Sequence, residues 1–422
     1  MSITGIKGMN DILPGEVETW QFMEATARRV FKAYGFAEIR VPVVEKTELF
    51  KRSIGETTDI VEKEMYTFND RSDNSLTLRP EGTAPVMRAY CEHKLYALDA
   101  VTKLYYLGAM FRYERPQKGR YRQFHQIGAE AIGVADPKID AQILAMLTHF
   151  FAEAEIPDVS LQINSLGCPT CRPAYRDQLI AALENQLEHL CEDCRRRFRT
   201  NPLRVIDCKV PGCQSATRHA PAIIEHLCPE CDDHFATVNR LLKQMEIPFT
   251  VNPRMVRGLD YYTRTTFEMV TNSLGAQNAV AAGGRYDGLI REIGGPDQPG
   301  IGFAMGLERL VLLKGQSSVA PQRPDLFVAA LGAEAGDWGF LLAAKLQRLG
   351  ISAELDYAGK SLKSQMRRAD KLLARHVLIV GEDEIRSGTA QLKNMDAGTQ
   401  STITLDRIEI TLPTILSAEF TP

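Results

Sequence analysis

Basic side chains crowd a short stretch of the chain between two strand-like runs. Residues 111–130 read FRYERPQKGRYRQFHQIGAE and carry five basic residues around a turn that contains proline and glycine: Arg112, Arg115, Lys118, Arg120 and Arg122. Two strand-like arms joined by such a turn indicate a β-hairpin with a cationic loop. Phosphate groups are the ligands that such a loop suits. An exposed edge hairpin with a charged tip is the alternative, and periodicity alone does not separate the two.

The second arm of this hairpin has a polar face. Alternation along a strand places Phe124, Gln126, Gly128 and Glu130 on one side, with the residues between them on the other. A half-buried glutamate and glutamine need hydrogen-bonding partners. Beside the gap that Gly128 leaves, they indicate the wall of a ligand pocket.

A second glycine-rich segment, GIGFAMGLER at residues 300–309, ends in an arginine. On a helix, Gly302, Gly306 and Arg309 would share one face, and Phe303 with Leu307 would point to the core. A flat glycine seat that ends in a guanidinium suits a planar base or a phosphate. Tight helix packing through glycine is the alternative interpretation.

Three shorter segments offer polar groups next to glycine. RGLDYYTRTTFE begins at Arg257, GGRYD at Gly283, and LRPEGT at Leu78. A glycine beside Arg257 lets the backbone approach a ligand closely, and tyrosines supply flat walls with polar tips. The carboxylate of Glu81 could hold an amine. Taken singly, these segments equally fit an ordinary strand with a turn, or a helix cap at Glu81.

Eight of the nine cysteines fall between Cys168 and Cys231, mostly as close pairs. The spacings are Cys168-x2-Cys171-x19-Cys191-x2-Cys194 and Cys208-x4-Cys213-x14-Cys228-x2-Cys231. In a reducing compartment such pairs favour all-thiolate, tetrahedral structural zinc over disulfides. Four pairs can be grouped into two sites in three ways, and the sequence leaves the grouping open. Reduced thiols without metal are the alternative.

Secondary-structure signals show how these segments are positioned. Apolar spacing predicts a helix over residues 17–34, stopped by Gly35. The run EIRVPVVE, residues 38–45, is β-rich, but Pro42 cannot donate to a ladder and belongs at a sheet edge or an interface. Further strand-like runs cover residues 75–79, 103–113, 124–134, 159–164 and 257–270.

This pattern predicts three parts in a chain of 422 residues. An α+β catalytic domain with a mostly antiparallel sheet would comprise residues 1–166 and 251–318. A helical, cysteine-rich insertion would occupy 167–250. After a linker-like stretch at 315–324, strands and helices alternate, which predicts a small α/β domain with a parallel sheet over 322–422.

Composition sets limits on the class of protein. The chain is 44% hydrophobic and 24% charged with a formal charge of -3, as is typical of soluble globular proteins. We find no signal-peptide pattern and no membrane-span pattern, so we expect a cytoplasmic protein. A negative net charge does not exclude RNA, because phosphate contacts need only a local basic patch. Such a patch, a stripe at helical spacing, is offered by Lys360, Lys363, Arg367 and Lys371; a solvated helix face is the alternative.

Together and in this order, the segments resemble the class II aminoacyl-tRNA synthetases, and among them the histidyl-tRNA synthetase family. Pro42 stands where that class has its dimer-forming first motif. FRYERP…RYRQFHQ is similar to the second motif and GFAMGLERL to the third, while RGLDYYTRTTFE and GGRYD are similar to two segments peculiar to the histidine enzymes. The resemblance covers nearly the whole chain. It implies a homodimer with a C-terminal anticodon-binding domain, and the cysteine pairs depart from it because many members lack them.

The resemblance also implies roles for single residues at a nucleotide site. Arg112 would grip the α-phosphate of ATP, which enters as its Mg²⁺ complex. Phe124 would stack on adenine, and Arg309 would lie on its other face near the γ-phosphate. Glu114 would contribute to the same site. Arg257 would be the catalytic cation, and Arg112 and Arg309 would share that work.

Histidine and tRNA contacts are implied in the same way. Glu81 and Thr83 would meet the α-amino group, and Gln126 the carboxylate side. Glu130 and Tyr262 would meet the imidazole. Arg112, Arg257 and Tyr261 complete the expected histidine site. Gln117 and Lys118 would approach the acceptor end of tRNA(His), and the basic C-terminal stripe would hold its backbone elsewhere.

The activity that this resemblance implies is ligation of L-histidine to tRNA(His) through histidyl-adenylate. Two alternatives from other classes stay open at this point. The first is a synthetase-like regulatory subunit of histidine biosynthesis without catalysis, which would be expected to lose the phosphate-gripping arginines and the C-terminal domain. The second is a zinc-stapled RNA-binding protein without enzymatic activity.

Overall fold

The computed structural model describes residues 2–55, 58, 60–256, 261–274, 278–315, 319 and 321–418. The chain forms two compact units, Met1–Val319 and Ala320–Pro422. The α-helices of the described residues are α1 (Val17–Ala33), α2 (Thr47–Ile54), α3 (Thr83–Glu92), α4 (Pro137–Glu153), α5 (Arg172–Glu184), α6 (Glu192–Arg197), α7 (Leu203–Ile206), α8 (Pro211–Ala216), α9 (Pro229–Gln244), α10 (Leu289–Glu292), α11 (Leu307–Lys314), α12 (Ala333–Arg348), α13 (Leu362–Lys371), α14 (Glu382–Ser387) and α15 (Ile408–Ala418). None of these helices has the combined length and apolar character that crossing a membrane requires.

The strands of the same residues are β1 (Ala37–Glu38), β2 (Val44–Lys46), β3 (Tyr66–Asn69), β4 (Ser75–Leu78), β5 (Thr102–Phe111), β6 (Gln123–Ile132), β7 (Val159–Ser165), β8 (Phe249–Val251), β9 (Thr263–Thr271), β10 (Ala279–Arg285), β11 (Gly300–Gly306), β12 (Leu326–Leu331), β13 (Ala353–Leu355), β14 (His376–Gly381), β15 (Thr389–Asn394) and β16 (Gln400–Thr404).

The first unit is built on an eight-stranded sheet with the order β1-β5-β6-β11-β10-β9-β7-β8. All neighbours are antiparallel except β1 with β5 and β7 with β8. The predicted, mostly antiparallel α+β sheet is therefore confirmed. The predicted hairpin is confirmed as well, since Phe111 of β5 pairs with Gln123 of β6.

One face of this sheet carries the main apolar core. Ile127 and Ala129 of β6 are fully buried there against Phe31 of α1 and Phe150 of α4. The side chains on the other side of β6 are the ones predicted to be polar, so the alternation expected from the sequence is the alternation observed. Helix α1 is followed at Gly35 by a positive φ of 82°, a conformation that glycine adopts without strain.

The segment GIGFAMGLER is only partly a helix. Gly300–Gly306 forms β11, which lies between β6 and β10, and the helix begins at Leu307. The predicted helical face of Gly302, Gly306 and Arg309 is therefore wrong. Gly302 has a different reason to be glycine: it pairs with Glu130 in the sheet, and a Cβ there would collide with the Glu130 carboxylate.

The run EIRVPVVE is split between two sheets. Its first residue, Glu38, is the last residue of β1, which lies at one edge of the large sheet. Its last residues, Val44 and Glu45, belong to β2, which lies in a three-stranded sheet with the order β2-β4-β3. Pro42 lies between the two strands and is exposed, together with Val43 and Val44. The interruption fits a residue that cannot donate a backbone hydrogen bond.

The cysteine-rich region is helical, as predicted, and has an apolar core of its own. Its buried side chains include Tyr175, Leu179, Val205, Ile206 and Ile223. A buried ionic network joins its last helix, α9, to α4 and to β10 of the eight-stranded sheet. In that network the Asp140 carboxylate contacts His234 Nε2 at 2.8 Å and Arg285 Nε at 2.9 Å.

The second unit holds a five-stranded sheet with the order β13-β12-β14-β15-β16. The first three strands are parallel, as predicted, but β15 and β16 are antiparallel to their neighbours. The prediction of a parallel sheet is wrong for these two strands. They are rich in Thr and Gln and lack the apolar run that a buried strand shows, so the sequence pattern did not indicate them.

Candidate active site

A cavity of about 1110 Å³ lies in the first unit, beside the β5–β6 hairpin. Three elements deliver most of the predicted site residues to it: the hairpin, the start of α3 and the start of α11. The predicted residues that line the cavity are Glu81, Thr83, Arg112, Glu114, Phe124, Gln126, Tyr261, Tyr262 and Arg309. Arg257, the predicted catalytic cation, lies outside the described residues, but Val256 and Tyr261 on either side of that gap line the cavity.

Guanidinium groups from distant parts of the chain face this cavity. Arg112 and Arg120 come from the hairpin, and Arg309 comes from α11. Burial lowers the pKa of Arg309, and the positive charges of Arg120 and Arg112 lower it further. Burial and the charge of Arg112 likewise lower the pKa of Arg120, against the opposite influence of Glu64. Mutually repelling cations in one cavity make a site for a multiply charged anion.

Backbone carbonyls hold two of these arginines in place. Arg112 Nε donates to the carbonyl oxygen of Pro80 at 2.9 Å, and Arg309 Nη1 donates to that of Ala279 at 2.5 Å. The Arg112 guanidinium lies over the Phe124 ring, 5.2 Å from its centroid. Glu114, almost fully buried, is paired with Arg120 and lies 3.9 Å from Arg112. The cationic loop is thus preorganised by fixed partners.

Glu81 caps the helix that follows it. Its carboxylate accepts hydrogen bonds from the backbone nitrogens of Thr83, at 2.7 Å, and Ala84, at 2.9 Å, at the start of α3. The capping interpretation of LRPEGT is therefore correct, and Glu81 also lines the cavity. Burial raises the pKa of Glu81, although the two backbone hydrogen bonds oppose it.

Glu130 is fully buried and does not line the cavity. One carboxylate oxygen accepts from the Thr83 hydroxyl at 2.8 Å, and the other from the Tyr286 hydroxyl at 2.5 Å. Burial raises the pKa of Glu130 to about 8; the two hydrogen bonds lower it, and the nearby charge of Glu81 raises it. Thr83, which does face the cavity, connects it to this carboxyl group.

The gap expected at Gly128 is occupied by protein. The ring of Tyr106 packs against both Gly82 and Gly128, and a Cβ on either glycine would collide with it. Gln126, two residues earlier on the same face, does line the cavity. Its side-chain oxygen is buried without a hydrogen-bond partner among the described residues, so it is available to a ligand.

Aromatic rings close one side of the site. Tyr261 and Tyr262 are buried, with ring centroids 4.6 Å apart, and Tyr286 meets Tyr261 edge-on at 6.0 Å. Burial raises the pKa of Tyr261 well above its ordinary value. Tyr286 belongs to GGRYD, a segment that the sequence singled out without assigning a role to this side chain.

Other residues of the site were not predicted. Glu308 lines the cavity, and its carboxylate accepts from the backbone nitrogen of His125 at 2.8 Å, which joins α11 to β6. The cysteine-rich region supplies part of the wall through residues that include Cys208, Lys209 and Arg218. No sequence signal indicated this contact, because nothing in a spacing pattern shows which side of an insertion meets the domain that carries it.

The eight paired cysteines form two tetrads. One tetrad consists of Cys168, Cys171, Cys228 and Cys231, and the other of Cys191, Cys194, Cys208 and Cys213; within each, all sulfurs lie within 4.8 Å of one another. The grouping that the sequence left open is thus outer pair with outer pair and inner pair with inner pair. The sulfurs of Cys168 and Cys171 are 3.7 Å apart, far beyond the ~2.05 Å of a disulfide, and all of these cysteines are free. Burial raises the pKa of Cys168, but hydrogen bonds from the backbone of Cys171 and Thr170 outweigh it and lower the pKa to about 6.

The residues predicted to meet tRNA lie at the surface of each unit. Gln117 and Lys118 are exposed at the tip of the hairpin and do not line the cavity. In the second unit Lys363, Arg367 and Lys371 are exposed on α13. Lys360 precedes that helix, and its backbone nitrogen donates to Asp356 at 2.9 Å, so it does not share the helical spacing expected of it.

Comparisons with known proteins give two family matches, one in each unit. The family described as histidyl-tRNA synthetase matches residues 8–310, and the anticodon binding domain family matches residues 325–413. The histidine–tRNA ligase of Syntrophotalea carbinolica is 69% identical, covering 97% of this chain and 98% of that protein. That of Geobacter metallireducens is 67% identical, covering 96% and 98%.

A solved structure extends the likeness to three dimensions. The apo histidyl-tRNA synthetase of S. aureus superposes with a TM-score of 0.82 at 36% identity, covering 97% of this chain and 99% of that one. The α+β unit with its cysteine-rich insertion is thus followed by an α/β anticodon-binding domain. With the guanidinium-lined cavity in the matched region, this chain belongs to the histidyl-tRNA synthetase family.

Proposed function

We propose that this chain is a histidine–tRNA ligase, which activates L-histidine with ATP and transfers it to the 3′ end of tRNA(His). The observation that carries this proposal is the meeting of Arg112, Arg120 and Arg309 in one cavity beside the polar groups of Glu81 and Gln126. A triphosphate and an amino acid are the pair of ligands that such a cavity suits. The high identity to named histidine–tRNA ligases supports the same choice.

In the first step a histidine carboxylate oxygen attacks the α-phosphorus of ATP, histidyl-adenylate forms, and the bond to pyrophosphate breaks. Negative charge builds on the phosphoryl oxygens and on the departing pyrophosphate. Arg112 grips the α-phosphate, Arg257 is the catalytic cation and Arg309 lies near the γ-phosphate, while Mg²⁺ arrives with ATP. A fixed donor of this kind lowers the activation barrier by roughly 2.7 to 4 kcal/mol, by analogy with oxyanion-hole deletions.

Phe124 and Glu114 complete the nucleotide site. The Phe124 ring already has the Arg112 guanidinium over it at 5.2 Å, and adenine would stack on that ring. Glu114 lines the cavity between Arg112 and Arg120 and keeps both guanidinium groups oriented when no nucleotide is bound.

For histidine, Glu81 and Thr83 receive the α-amino group and Gln126 the carboxylate side. Tyr262 and Tyr261, which line the cavity, lie beside the imidazole. The imidazole ring of histidine carries an N–H donor. Hydrogen-bond acceptors of the protein, placed in a pocket without water, therefore distinguish this ring from apolar rings of similar size. Glu130 acts from behind Thr83, whose hydroxyl it holds at 2.8 Å.

In the second step a hydroxyl of the terminal ribose of tRNA attacks the histidyl carbonyl carbon, an ester forms, and AMP leaves. Gln117 and Lys118 at the exposed hairpin tip approach the acceptor end. On the second unit, the backbone phosphates of tRNA are contacted by Lys363, Arg367 and Lys371 of α13, and by Lys360 in the loop before that helix. Phosphate contacts of this kind are electrostatic and weaken with salt.

The chain acts as a homodimer in this proposal. Val44 of β2 and Phe68 of β3 are large apolar side chains that are exposed on the small sheet, and the exposed Val43 directly precedes β2. Exposed apolar patches are typical of protein interfaces. Sedimentation of the purified protein at micromolar concentration is expected to give twice the mass of the chain, and a monomer would contradict this part of the proposal.

Each cysteine tetrad binds one structural zinc. A tetrahedral site with Zn–S bonds of about 2.3 Å has sulfurs about 3.8 Å apart. The sulfurs of Cys168 and Cys171 are 3.7 Å apart, and those of Cys191 and Cys208 are 3.9 Å apart. Metal analysis of protein purified without chelators should find about two zinc ions per chain; none would overturn this assignment.

Exchange of labelled pyrophosphate into ATP tests the proposed function. We expect exchange with L-histidine and none with the other amino acids, followed by esterification of tRNA(His). A regulatory subunit or a simple RNA-binding protein would give no histidine-dependent exchange, and that result would overturn the proposal.

A further inference from the structure

The loop between β8 and β9 carries Arg257, Tyr261 and Tyr262, and the cysteine-rich region holds it at both ends. At the first end, Arg254 reaches into that region. Its Nη1 donates to the carbonyl oxygen of Thr217 at 2.7 Å. Its Nη2 donates to the Thr217 hydroxyl at 2.7 Å and to the carbonyl oxygen of Ile206 at 3.2 Å. The Arg254 guanidinium thus donates to three acceptors, and Arg254 stands three residues before Arg257 in the sequence.

Those acceptors belong to the segment that carries the tetrad of Cys191, Cys194, Cys208 and Cys213, here the second tetrad; the tetrad of Cys168, Cys171, Cys228 and Cys231 is the first. Ile206 ends α7, two residues before Cys208. The Thr217 hydroxyl donates to the carbonyl oxygen of Cys213 at 2.8 Å, and the Thr217 backbone nitrogen donates to the same oxygen at 3.0 Å. A continuous chain of hydrogen bonds therefore runs from Cys213 through Thr217 to Arg254.

The other end of the loop meets the first tetrad. Arg172 directly follows Cys171, and its Nη2 donates to the carbonyl oxygen of Tyr262. The backbone nitrogen of Arg264 donates at 2.8 Å to the carbonyl oxygen of Gly167, the residue before Cys168. A Cβ at Gly167 would lie 2.8 Å from that of Cys171, so the tetrad is packed tightly against this connection.

The segment of the second tetrad joins the apolar core of the cysteine-rich region through Val205 and Ile206, but its helices are short. Its helices α6, α7 and α8 have 6, 4 and 6 residues. Helices this short are not stable by themselves in water. Cys191 and Cys194 lie at the start of α6, Cys208 follows α7, and Cys213 lies in α8, so one metal would join all of them.

We propose that the two tetrad metals brace the chain on both sides of the catalytic segment: the second through Arg254, three positions before Arg257 in the sequence, and the first through Arg172, which contacts Tyr262. This inference rests on the proposed function, because the loop matters only if Arg257 and the tyrosines act on histidine and ATP. Arg254 is then a positioning residue. The two ends have different duties, so losing either metal affects a different kinetic constant.

Pyrophosphate exchange and zinc content, measured on the full-length chain and its variants, test this. In Cys213→Ser, zinc should fall from about two to about one ion per chain. There and in Arg254→Ala, kcat should fall about 10²-fold while the KM for histidine changes little, since misplacing a catalytic group by about 1 Å costs that much. In Cys231→Ser, zinc should fall equally, and the KM for histidine should rise instead.

Arg195→Ala is the matched control. Arg195 also caps a carbonyl in the second-tetrad segment, donating to Leu190 at 2.8 Å, but the loop is not among its partners. Its kcat and KM should equal those of the parent. Arg254→Ala leaves every cysteine in place, so it remains informative if a cysteine variant fails to fold.

The outcomes separate the two proposals. A parent protein without histidine-dependent exchange would refute the proposed function itself. An active parent without zinc, or one whose kcat is unchanged by Arg254→Ala, would refute the bracing role alone. Equal losses of kcat in Arg254→Ala and Arg195→Ala would also refute it, because they would indicate general destabilisation.

Discussion

The hydroxyl of Thr83 donates a 2.8 Å hydrogen bond to the buried carboxylate of Glu130, which joins the first residue of α3 to β6. Thr83 lines the cavity, whereas Glu130 lies behind it. The other Glu130 oxygen accepts from Tyr286 at 2.5 Å. A substitution of Glu130 is therefore expected to affect ligand binding indirectly, through the side chains that Glu130 orients. It is also expected to alter the stability of the first unit.

The pH dependence of stability should report on Glu130. Its pKa, raised by burial to about 8, exceeds the ordinary value of about 4.3 in an unfolded chain. Between these values the folded state holds a proton that the unfolded state has lost, so stability falls as pH rises. The thermal midpoint should drop between about pH 5 and about pH 8, and drop less in Glu130→Gln. Equal drops in both proteins would show that Glu130 does not titrate in this range.

Glu130→Ala should lose discrimination for histidine. A site built to satisfy polar groups rejects ligands that lack them by about 10⁴ to 10⁵, and removing the carboxyl group removes part of that selectivity. The measurement is kcat/KM in pyrophosphate exchange for histidine and for an analogue without ring nitrogens. Glu92→Ala, on the exposed end of α3, is the control. Unchanged specificity in Glu130→Ala would mean that Glu130 does not recognise the imidazole.

Arg257→Ala should damage turnover more than histidine binding. A charge that acts on the transition state lowers kcat by about 10²- to 10³-fold when removed, whereas the KM for histidine should change far less. Arg115→Ala is a suitable control, because Arg115 is exposed in the cationic loop and does not line the cavity. Equal losses in kcat and in histidine affinity for Arg257→Ala would count against its role as catalytic cation.

Replacing Lys363, Arg367 and Lys371 together by alanine should weaken tRNA binding. Each phosphate contact makes the fall of log affinity with log salt steeper, by about 0.7 to 0.9 per contact for single strands and B-form DNA, so the variant should bind tRNA more weakly and with a shallower slope. Exchange of pyrophosphate, which needs no tRNA, serves as the internal reference. An unchanged KM for tRNA(His) would leave α13 as a solvated helix face.

Local patterns predicted much of this fold. Alternation along β6, the hairpin with its cationic loop, and the extent of α1 follow from side-chain periods and turn residues that act over a few positions. The helix assigned to Gly302 failed because glycine spacing fits a strand packed against Glu130 as well as a helix face. Strands β15 and β16 were missed because polar edge strands carry no apolar period.

For the site, residue identities came from the sequence, and their arrangement did not. The family resemblance named nine of the residues that line the cavity, yet it gave no indication that Tyr106 fills the space at Gly128 or that Tyr286 holds Glu130. These relations join residues far apart in the chain. The grouping of the cysteines was open for the same reason, since spacing within a pair says nothing about which pairs meet.

The central claim is that guanidinium groups far apart in the chain converge on one triphosphate. A crystal structure of the protein with ATP and Mg²⁺ bound tests it most directly. We expect Arg112, Arg257 and Arg309 each to lie within hydrogen-bonding distance of phosphate oxygens of the same nucleotide. Guanidinium groups that reach different molecules, or no nucleotide at all, would contradict the account.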